Sequence, residues 1–92
     1  MGRTVRIIVR GRVQGVGYRA WTEQEALARG LLGWVRNRLD GSVEALISGD
    51  ERQVEDMLRA CRHGPRLAAV DDVTVQDSAE PAGDAFRTAP TI

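Results

Sequence analysis

The sequence predicts an α+β sandwich, in which two helices cover one face of a mainly antiparallel sheet. Short segments with apolar residues at every second position predict strands, and two segments rich in helix-forming residues lie between them. Their order is strand, helix, strand, strand, helix, strand, followed by one more extended piece near the C-terminus. With 92 residues and no low-complexity block, the chain is expected to form a single domain over residues 1–92.

The first strand is predicted over Thr4 to Arg10, where three aliphatic residues share one face. These residues are Val5, Ile7 and Val9. After a glycine-rich loop, a helix is predicted from Arg19 to about Arg29, because alanine, leucine and glutamate favour helices. Glu23 and Glu25 are expected to give this helix an acidic first turn, and Gly30 is placed to end it.

Two strands joined by a hairpin follow the first helix. Gly33 to Leu39 alternates so that Val35 and Asn37 share one side, and Ser42 to Ser48 alternates again. The inward residues of the second of these strands are Val43, Ala45 and Ile47. The Asp40-Gly41 pair between the two strands indicates a two-residue hairpin turn.

A second helix, a strand and a terminal extended piece complete the chain. Asp50 can cap the N-terminus of the helix, which is expected to run to about His63. Alternation predicts the next strand over Val70 to Gln76. The last extended piece runs from Ala85 to Thr88, and its Phe86 is expected to close the core.

The glycine-rich stretch from Gly11 to Arg19, read GRVQGVGYR, joins the first strand to the first helix. Glycine permits backbone angles that turn successive N–H groups inward, and a following helix adds its positive end, so such a stretch can bind an anion. Arg19 carries a forked guanidinium that suits phosphate oxygens. The spacing excludes a Walker loop, and the hairpin that follows disfavours a dinucleotide fold; a plain strand-to-helix turn stays open.

Topology is expected to bring a second polar residue to this loop. The first two strands are joined by a helical crossover, so we expect them to be parallel neighbours whose C-terminal ends lie at the same edge of the sheet. The loop leaves one of those ends, and Asn37 lies near the other. Because Asn37 shares its side with Val35, its amide is expected to face the helices and to meet Arg19 above the loop.

The combination of these segments resembles the acylphosphatase family. GRVQGVGYR is followed by GWVRN and DGSVE, and the match continues through Gly64 and Pro65 to Phe86, so it covers nearly the whole chain. The resemblance implies a ferredoxin-like α/β sandwich and hydrolysis of the carboxyl-phosphate bond of acyl phosphates to carboxylate and inorganic phosphate. It also implies that Arg19 binds the phosphate and that Asn37 orients the attacking water.

Two positions depart from the pattern of that family. Tyr18 stands where phenylalanine is frequent, and Arg29 precedes Gly30 where an aliphatic residue is more usual. Arg29 is expected to lay its stem on the edge of the core and to extend its head into water.

An acyl phosphate needs binding and orientation more than acid catalysis, because its carboxylate leaving group departs without a proton. Backbone amides and the Arg19 fork can hold the phosphoryl dianion, and the Asn37 carbonyl can accept a hydrogen from water and aim its lone pair. The predicted phosphate-binding residues are Gln14, Gly15, Val16, Gly17, Tyr18 and Arg19. No metal or other cofactor is expected, because the acids are scattered and there is no histidine pair. A non-catalytic phosphate-binding module of the same fold is the alternative.

Charge and composition bear on the partners of the protein. The net charge is zero, but residues 1–38 hold eight arginines against two glutamates, an asymmetry that can concentrate small anions. The central strands lack the aromatic residues that stack RNA bases, since Trp34 is expected to pack, and no apolar run approaches the ~20 residues that span a bilayer. The only cysteine, Cys61, lies on the inner stripe of the second helix and is expected to pack in the core. We therefore expect a cytoplasmic monomer that binds a small-molecule acyl phosphate and neither nucleic acid nor membrane.

Overall fold

A computed structural model describes residues 2–92 of the chain; Met1 of the predicted domain lies outside the described residues. The elements are β1 (Gly2–Arg12), α1 (Tyr18–Ala28), β2 (Leu32–Asn37), β3 (Val43–Asp50), α2 (Glu51–Cys61), β4 (Ala69–Asp77) and β5 (Phe86–Thr88). The strands form a sheet in the order β4-β1-β3-β2-β5, and only β2 and β5 pair in parallel. The predicted ferredoxin-like α+β fold and its element order are confirmed.

The first two strands run parallel, but they are not neighbours as the sequence suggested. β1 and β2 each pair antiparallel with β3, which lies between them. The β2–β3 hairpin places β3 between β1 and β2. In this position the inward residues of β3 pack between those of β1 and those of β2. The C-terminal ends of β1 and β2 still lie at the same edge of the sheet, separated by the start of β3.

One hydrophobic core fills the space between the sheet and the helices. The predicted inward residues of β1 and β3 are buried, and Val35 of β2 joins them. The α2 helix contributes Val54, Met57 and Cys61 at the predicted helical spacing, so the assignment of the cysteine to the core is confirmed. Phe86 of β5 also belongs to this core and is 5% exposed, as expected.

The opposite face of the sheet carries a buried carboxylate between two arginines. Glu44 is 2% exposed, and its two carboxylate oxygens accept hydrogen bonds from Arg6 Nη1 (3.0 Å) and Arg36 Nε (2.8 Å). The Arg36 guanidinium lies 4.3 Å from the centre of the Trp34 ring, whose Nε1 donates to Glu80. Trp34 is therefore a packing residue on this face, as expected.

The β2–β3 hairpin has a loop from Leu39 to Gly41 rather than the predicted two-residue turn. The Gly41 N–H donates to Arg38 O (3.1 Å), and the Arg38 N–H donates to Ser42 O (2.9 Å). A two-residue type I′ turn needs positive φ at both central residues, but Gly41 has a φ of 92° and Asp40 does not have a positive φ. Asp40 instead accepts hydrogen bonds from the backbone N–H and the hydroxyl of Ser42, which fix the turn.

The helix ends differ from the sequence expectations in two ways. α1 begins at Tyr18 after Gly17, so Glu23 and Glu25 lie beyond its first turn, and the expected acidic first turn is wrong. α2 ends at Cys61, and His63 lies just past the helix because the chain leaves it toward Gly64, which has a φ of 69°. The predicted cap of α2 is confirmed, since the Asp50 carboxylate accepts a hydrogen bond from the Arg52 N–H.

The C-terminal segment runs along β2 beyond the end of β5. The Ala89 N–H donates to Val35 O (2.8 Å), and the Ile92 N–H donates to Asn37 O (3.2 Å). The Leu39 N–H donates in turn to Ile92 O (2.6 Å). The backbone at Asn37 is therefore held on one side by β3 and on the other by the C-terminal segment.

Candidate active site

The loop between β1 and α1 is bent by two glycines in the left-handed region. Gly15 has a φ of 74° and Gly17, the N-cap of α1, has a φ of 81°. A Cβ atom at either position would meet nothing within 4 Å, so the requirement for glycine is one of backbone conformation rather than space. The chain therefore turns sharply between the end of β1 and the first turn of the helix.

The backbone amides of this loop are unused within the protein. None of the N–H groups from Gln14 to Ala20 donates a hydrogen bond to another group among residues 2–92, and the first helical bond is from the Trp21 N–H to Gly17 O (3.0 Å). N–H groups that have no acceptor within the protein can donate to an anion, and the dipole of the helix adds partial positive charge at its N-terminus. This segment can bind a phosphate group.

The Gln14 side chain ties the loop to the β2–β3 hairpin. Its Nε2 donates to Arg38 O (2.8 Å) and to Ser42 O (2.8 Å). Only the backbone of Gln14 was predicted to contribute to the phosphate site, and no local pattern in the sequence indicates this role of its side chain. The two hydrogen bonds fix the position of the loop relative to the strand that ends at Asn37.

Arg19 lies in the first turn of α1 and is half-buried. Its guanidinium forms no hydrogen bond and no ion pair with any group in the described part of the chain. A partly buried arginine that has no anionic partner keeps its five N–H donors free to bind a ligand.

Asn37 ends β2 and presents its carboxamide on the helix-facing side of the sheet. Its Oδ1 is buried and accepts no hydrogen bond from residues 2–92, and it is the only such buried side-chain atom among them. An unpaired buried acceptor costs about 1–3 kcal/mol. The amide nitrogen Nδ2 is the accessible end of the group in this orientation.

A single cleft of about 370 Å³ brings these groups together. The predicted residues that line it are Gln14, Gly15, Gly17, Tyr18, Arg19 and Asn37. Val16 does not line it, because its side chain packs against the core. Four lining residues were not predicted as site residues, namely Val13, Ala20, Glu23 and Thr88. The helical spacing of Arg19 and Glu23 was a signal for one of them, since residues four apart share a helix face.

Comparison with known proteins decides the family. A sequence profile of the acylphosphatase family matches residues 5–88. The chain belongs to the acylphosphatase family. It is 50% identical to an acylphosphatase of Bradyrhizobium diazoefficiens and 52% identical to one of Azorhizobium caulinodans, with all of each chain covered in both cases. The crystal structure of acylphosphatase from Bacillus subtilis superposes with a TM-score of 0.89 and 41% identity, over 97% of this chain and 99% of that one.

Tyr18 stands where phenylalanine is frequent in acylphosphatases, and its additional hydroxyl forms a buried hydrogen bond. The ring is buried against Gly64, and the hydroxyl donates to Cys61 O (2.7 Å) at the end of α2. Burial raises the pKa of the Tyr18 hydroxyl, and burial also raises the pKa of the Cys61 thiol to about 11, so both groups stay protonated near neutral pH. Tyr18 thereby anchors the start of the helix that carries Arg19.

Replacing Tyr18 with phenylalanine is expected to lower the free energy of unfolding by about 1 kcal/mol, because one buried hydrogen bond is lost. Urea denaturation of the two proteins measures the difference. Hydrolysis of acetyl phosphate should change less than twofold, since the ring still packs against Gly64. An unchanged unfolding midpoint would show that the hydroxyl contributes nothing to stability.

Arg29 also departs from the acylphosphatase pattern, and its head does not extend into water as expected. Its Nε donates to Asp56 (2.8 Å) on α2, and its Nη1 donates to both the backbone oxygen and the carboxylate of Glu25. The guanidinium stays at the helix interface because acceptors from both helices surround it there. The bonds to Glu25 and Asp56 link α1 to α2, and they raise the pKa of Arg29, with the Glu25 bond contributing most.

The Arg29–Asp56 pair predicts a pH-dependent contribution to stability. The hydrogen bond from Arg29 lowers the pKa of Asp56 below its ordinary value. A carboxylate with a lowered folded-state pKa stabilises the fold above the unfolded-state pKa of about 3.9, and this contribution is lost as the pH falls through the folded-state value. Asp56→Asn should therefore lower the urea midpoint at pH 7, and the difference from the native chain should shrink steadily below about pH 4. A difference that stays constant down to pH 2 would contradict this assignment.

Two features bear on metals and membranes in this acylphosphatase. Within residues 2–92, no group of three or more His, Cys, Asp or Glu side chains could hold a metal ion. No helix in the same range is long and apolar enough to cross a membrane.

Proposed function

We propose that this chain hydrolyses the carboxyl-phosphate bond of acyl phosphates without a metal, using the β1–α1 loop, Arg19 and Asn37. The observation that carries the proposal is that the loop glycines, an arginine without an anionic partner and a carboxamide with an unpaired buried oxygen all line one cleft. The acylphosphatases of similar sequence support the reaction type.

Phosphate binding is the first proposed task of the site. The free N–H groups of residues 14–19 and the N-terminus of α1 would surround the phosphoryl oxygens. The Arg19 guanidinium would bind two of these oxygens at once and stabilise the charge that develops on them during transfer. The Val16 contribution would be through its backbone only, because its side chain packs against the core.

Water orientation is the second proposed task and belongs to Asn37. A carboxamide is not a base, but its oxygen can accept a hydrogen from water and hold the lone pair in line with phosphorus. The Oδ1 atom is buried in the structure, so we propose that the carboxamide turns about its terminal torsion when water and substrate enter. This torsion has broad, roughly twofold preferences, and the turn would exchange Nδ2 for Oδ1 at the cleft.

The proposed hydrolysis accounts for every bond and every proton without an acid catalyst. The water oxygen forms a bond to phosphorus, and the bond between phosphorus and the acyl oxygen breaks. The bonding electron pair leaves on the acyl oxygen, which becomes a carboxylate oxygen and needs no proton. A proton of the attacking water passes to a phosphoryl oxygen, which yields inorganic phosphate.

Turnover of acetyl phosphate and benzoyl phosphate by the pure protein tests the proposal. The alternative, a phosphate-binding module without activity, would bind inorganic phosphate and leave both compounds intact. Benzoyl phosphate gives a direct spectrophotometric readout, and titration calorimetry with inorganic phosphate measures binding separately. Binding without turnover would favour the alternative.

Treatment with a chelator is expected to leave kcat unchanged. Loop amides and Arg19 supply the positive charge that a metal would otherwise provide, and the leaving group needs no Lewis acid. The measurement is acetyl phosphate hydrolysis before and after dialysis against EDTA. Activity that disappears and returns with magnesium would refute metal independence.

We further propose that residues 1–92 act as one acylphosphatase domain, as a monomer in the cytoplasm. The loop, Arg19 and Asn37 line one cleft and all elements pack around one core, which supports a domain that acts without a second copy. Gel filtration at micromolar concentration and fractionation of cells that express the protein would test the two statements.

A further inference from the structure

An acidic side chain lines the cleft beside Arg19. Glu23 lies one helical turn after Arg19 on α1, and Thr88 of β5 lines the same cleft. The Thr88 hydroxyl lies 3.3 Å from Glu23 Oε2, to which it donates. Phosphate binding does not need a carboxylate there, since it would repel the ligand.

Glu23 is not neutralised by the nearby arginine. Residues four apart on a helix often form ion pairs, and Glu25 and Arg29 on the same helix do so at 2.8 Å. Within residues 2–92, Glu23 has no ion pair with Arg19 or with any other cation at 4.0 Å or less. Its charge therefore acts on whatever occupies the cleft.

The sheet order sets the side of the cleft on which this charge lies. The phosphate-binding loop follows β1, Asn37 ends β2, and Thr88 pairs with Val35 from β5, on the far side of β2. The Glu23–Thr88 pair is thus displaced from the loop toward the β5 edge. The acyl half of a substrate whose phosphoryl group occupies the loop would extend within the same small cleft, about a screening length or less from this pair.

We propose that Glu23, held in place by Thr88, selects substrates by the charge of the acyl group. Acyl groups that are neutral or carry an amine would be accepted, and those with an additional carboxylate or phosphate would be disfavoured. This inference rests on the proposed function and concerns the other half of the same substrate. It makes Glu23 a specificity-determining residue rather than part of the phosphate-binding machinery.

The expected size of the effect follows from the distances involved. The separation between two charges in one small cleft is no greater than about the screening length, which is about 8 Å at physiological salt. Their interaction at an intermediate effective dielectric corresponds to about 3- to 10-fold in affinity per charge pair. The discrimination should weaken as ionic strength rises, which a purely structural role of Glu23 would not produce.

The test compares acetyl phosphate with succinyl phosphate, whose acyl group carries an additional carboxylate. Glu23→Gln is expected to raise the ratio of kcat/KM for succinyl phosphate over acetyl phosphate by about 3- to 10-fold at low salt, and by less at 0.5 M salt. The matched control is Glu51→Gln, which removes the same charge from α2 at the opposite end of β1 and should leave the ratio unchanged. An unchanged ratio in Glu23→Gln, or an equal change in the control, would overturn the proposal.

Binding provides a second readout that does not depend on turnover. The non-hydrolysable analogues acetylphosphonate and succinylphosphonate should show the same shift in relative Kd between native chain and Glu23→Gln. If the native chain hydrolyses neither acyl phosphate, the proposed activity fails, yet a shift in the Kd ratio would still support charge selection at the cleft. Equal Kd ratios in both proteins would refute it.

Discussion

Replacing Arg19 with alanine is expected to lower kcat/KM for acetyl phosphate by about 10³-fold or more, the loss typical when an arginine is removed from a transferring phosphoryl group. The guanidinium is half-buried in the first turn of α1 and forms no ion pair in the described part of the chain. It lines the proposed phosphate cleft, and no internal ion pair has to break before it binds two phosphate oxygens. Because the same contact holds the ground state, KM should rise while kcat falls. Steady-state hydrolysis measures both constants.

The stability of the Arg19→Ala chain separates a local loss from misfolding. Arg19 makes no side-chain hydrogen bond among residues 2–92, so its removal should change the free energy of unfolding by no more than about 0.5 kcal/mol. Arg19→Lys keeps the charge but loses the fork and should fall between alanine and the native chain. Arg62→Ala, an exposed arginine after α2, is the matched control and should keep full activity. Near-native kcat/KM in Arg19→Ala would remove Arg19 from the mechanism.

The parts of the fold that the sequence predicted correctly depend on local patterns. Alternation in β1 and β3, the Asp50 cap and the inner stripe of α2 are each set by residues a few positions apart. The β2–β3 hairpin is an element whose local pattern gave a wrong prediction. Asp40-Gly41 matches the two-residue signal, yet hydrogen bonds from Ser42 to the Asp40 carboxylate favour a loop in which only Gly41 has positive φ.

The parts of the candidate site that the sequence did not predict depend on contacts between distant segments. The Gln14 side chain binds carbonyls 24 and 28 residues away, in the β2–β3 hairpin. Thr88 enters the cleft only because β5 pairs in parallel with β2, a placement that no local pattern indicates. The Arg29 guanidinium pairs with Glu25 on α1 and with Asp56 on α2. The contact with α2 could not be predicted from the sequence of α1 alone. Arg19 and Asn37, by contrast, follow from the crossover rule, which places both strand ends at one edge.

Replacing Asn37 with alanine is expected to lower kcat by about 10²- to 10³-fold, a loss of the size seen when one polar group that contacts the reacting atoms is removed from an active site. Binding of inorganic phosphate should change less than threefold, because the loop amides and Arg19 remain. This split between kcat and affinity distinguishes Asn37 from Arg19, whose loss affects both. Titration calorimetry with phosphate and hydrolysis of benzoyl phosphate supply the two measurements.

The stability of the same variant tests why an asparagine stands at this position. Asn37 Oδ1 is buried and accepts no hydrogen bond from residues 2–92, and an unpaired buried acceptor costs about 1–3 kcal/mol. Asn37→Ala removes that cost along with some packing, so its free energy of unfolding should equal or exceed that of the native chain. A residue kept for structure would show the reverse, with lower stability and normal turnover. Lower stability with unchanged kcat in Asn37→Ala would therefore show that the carboxamide supports the fold and that another group orients the water.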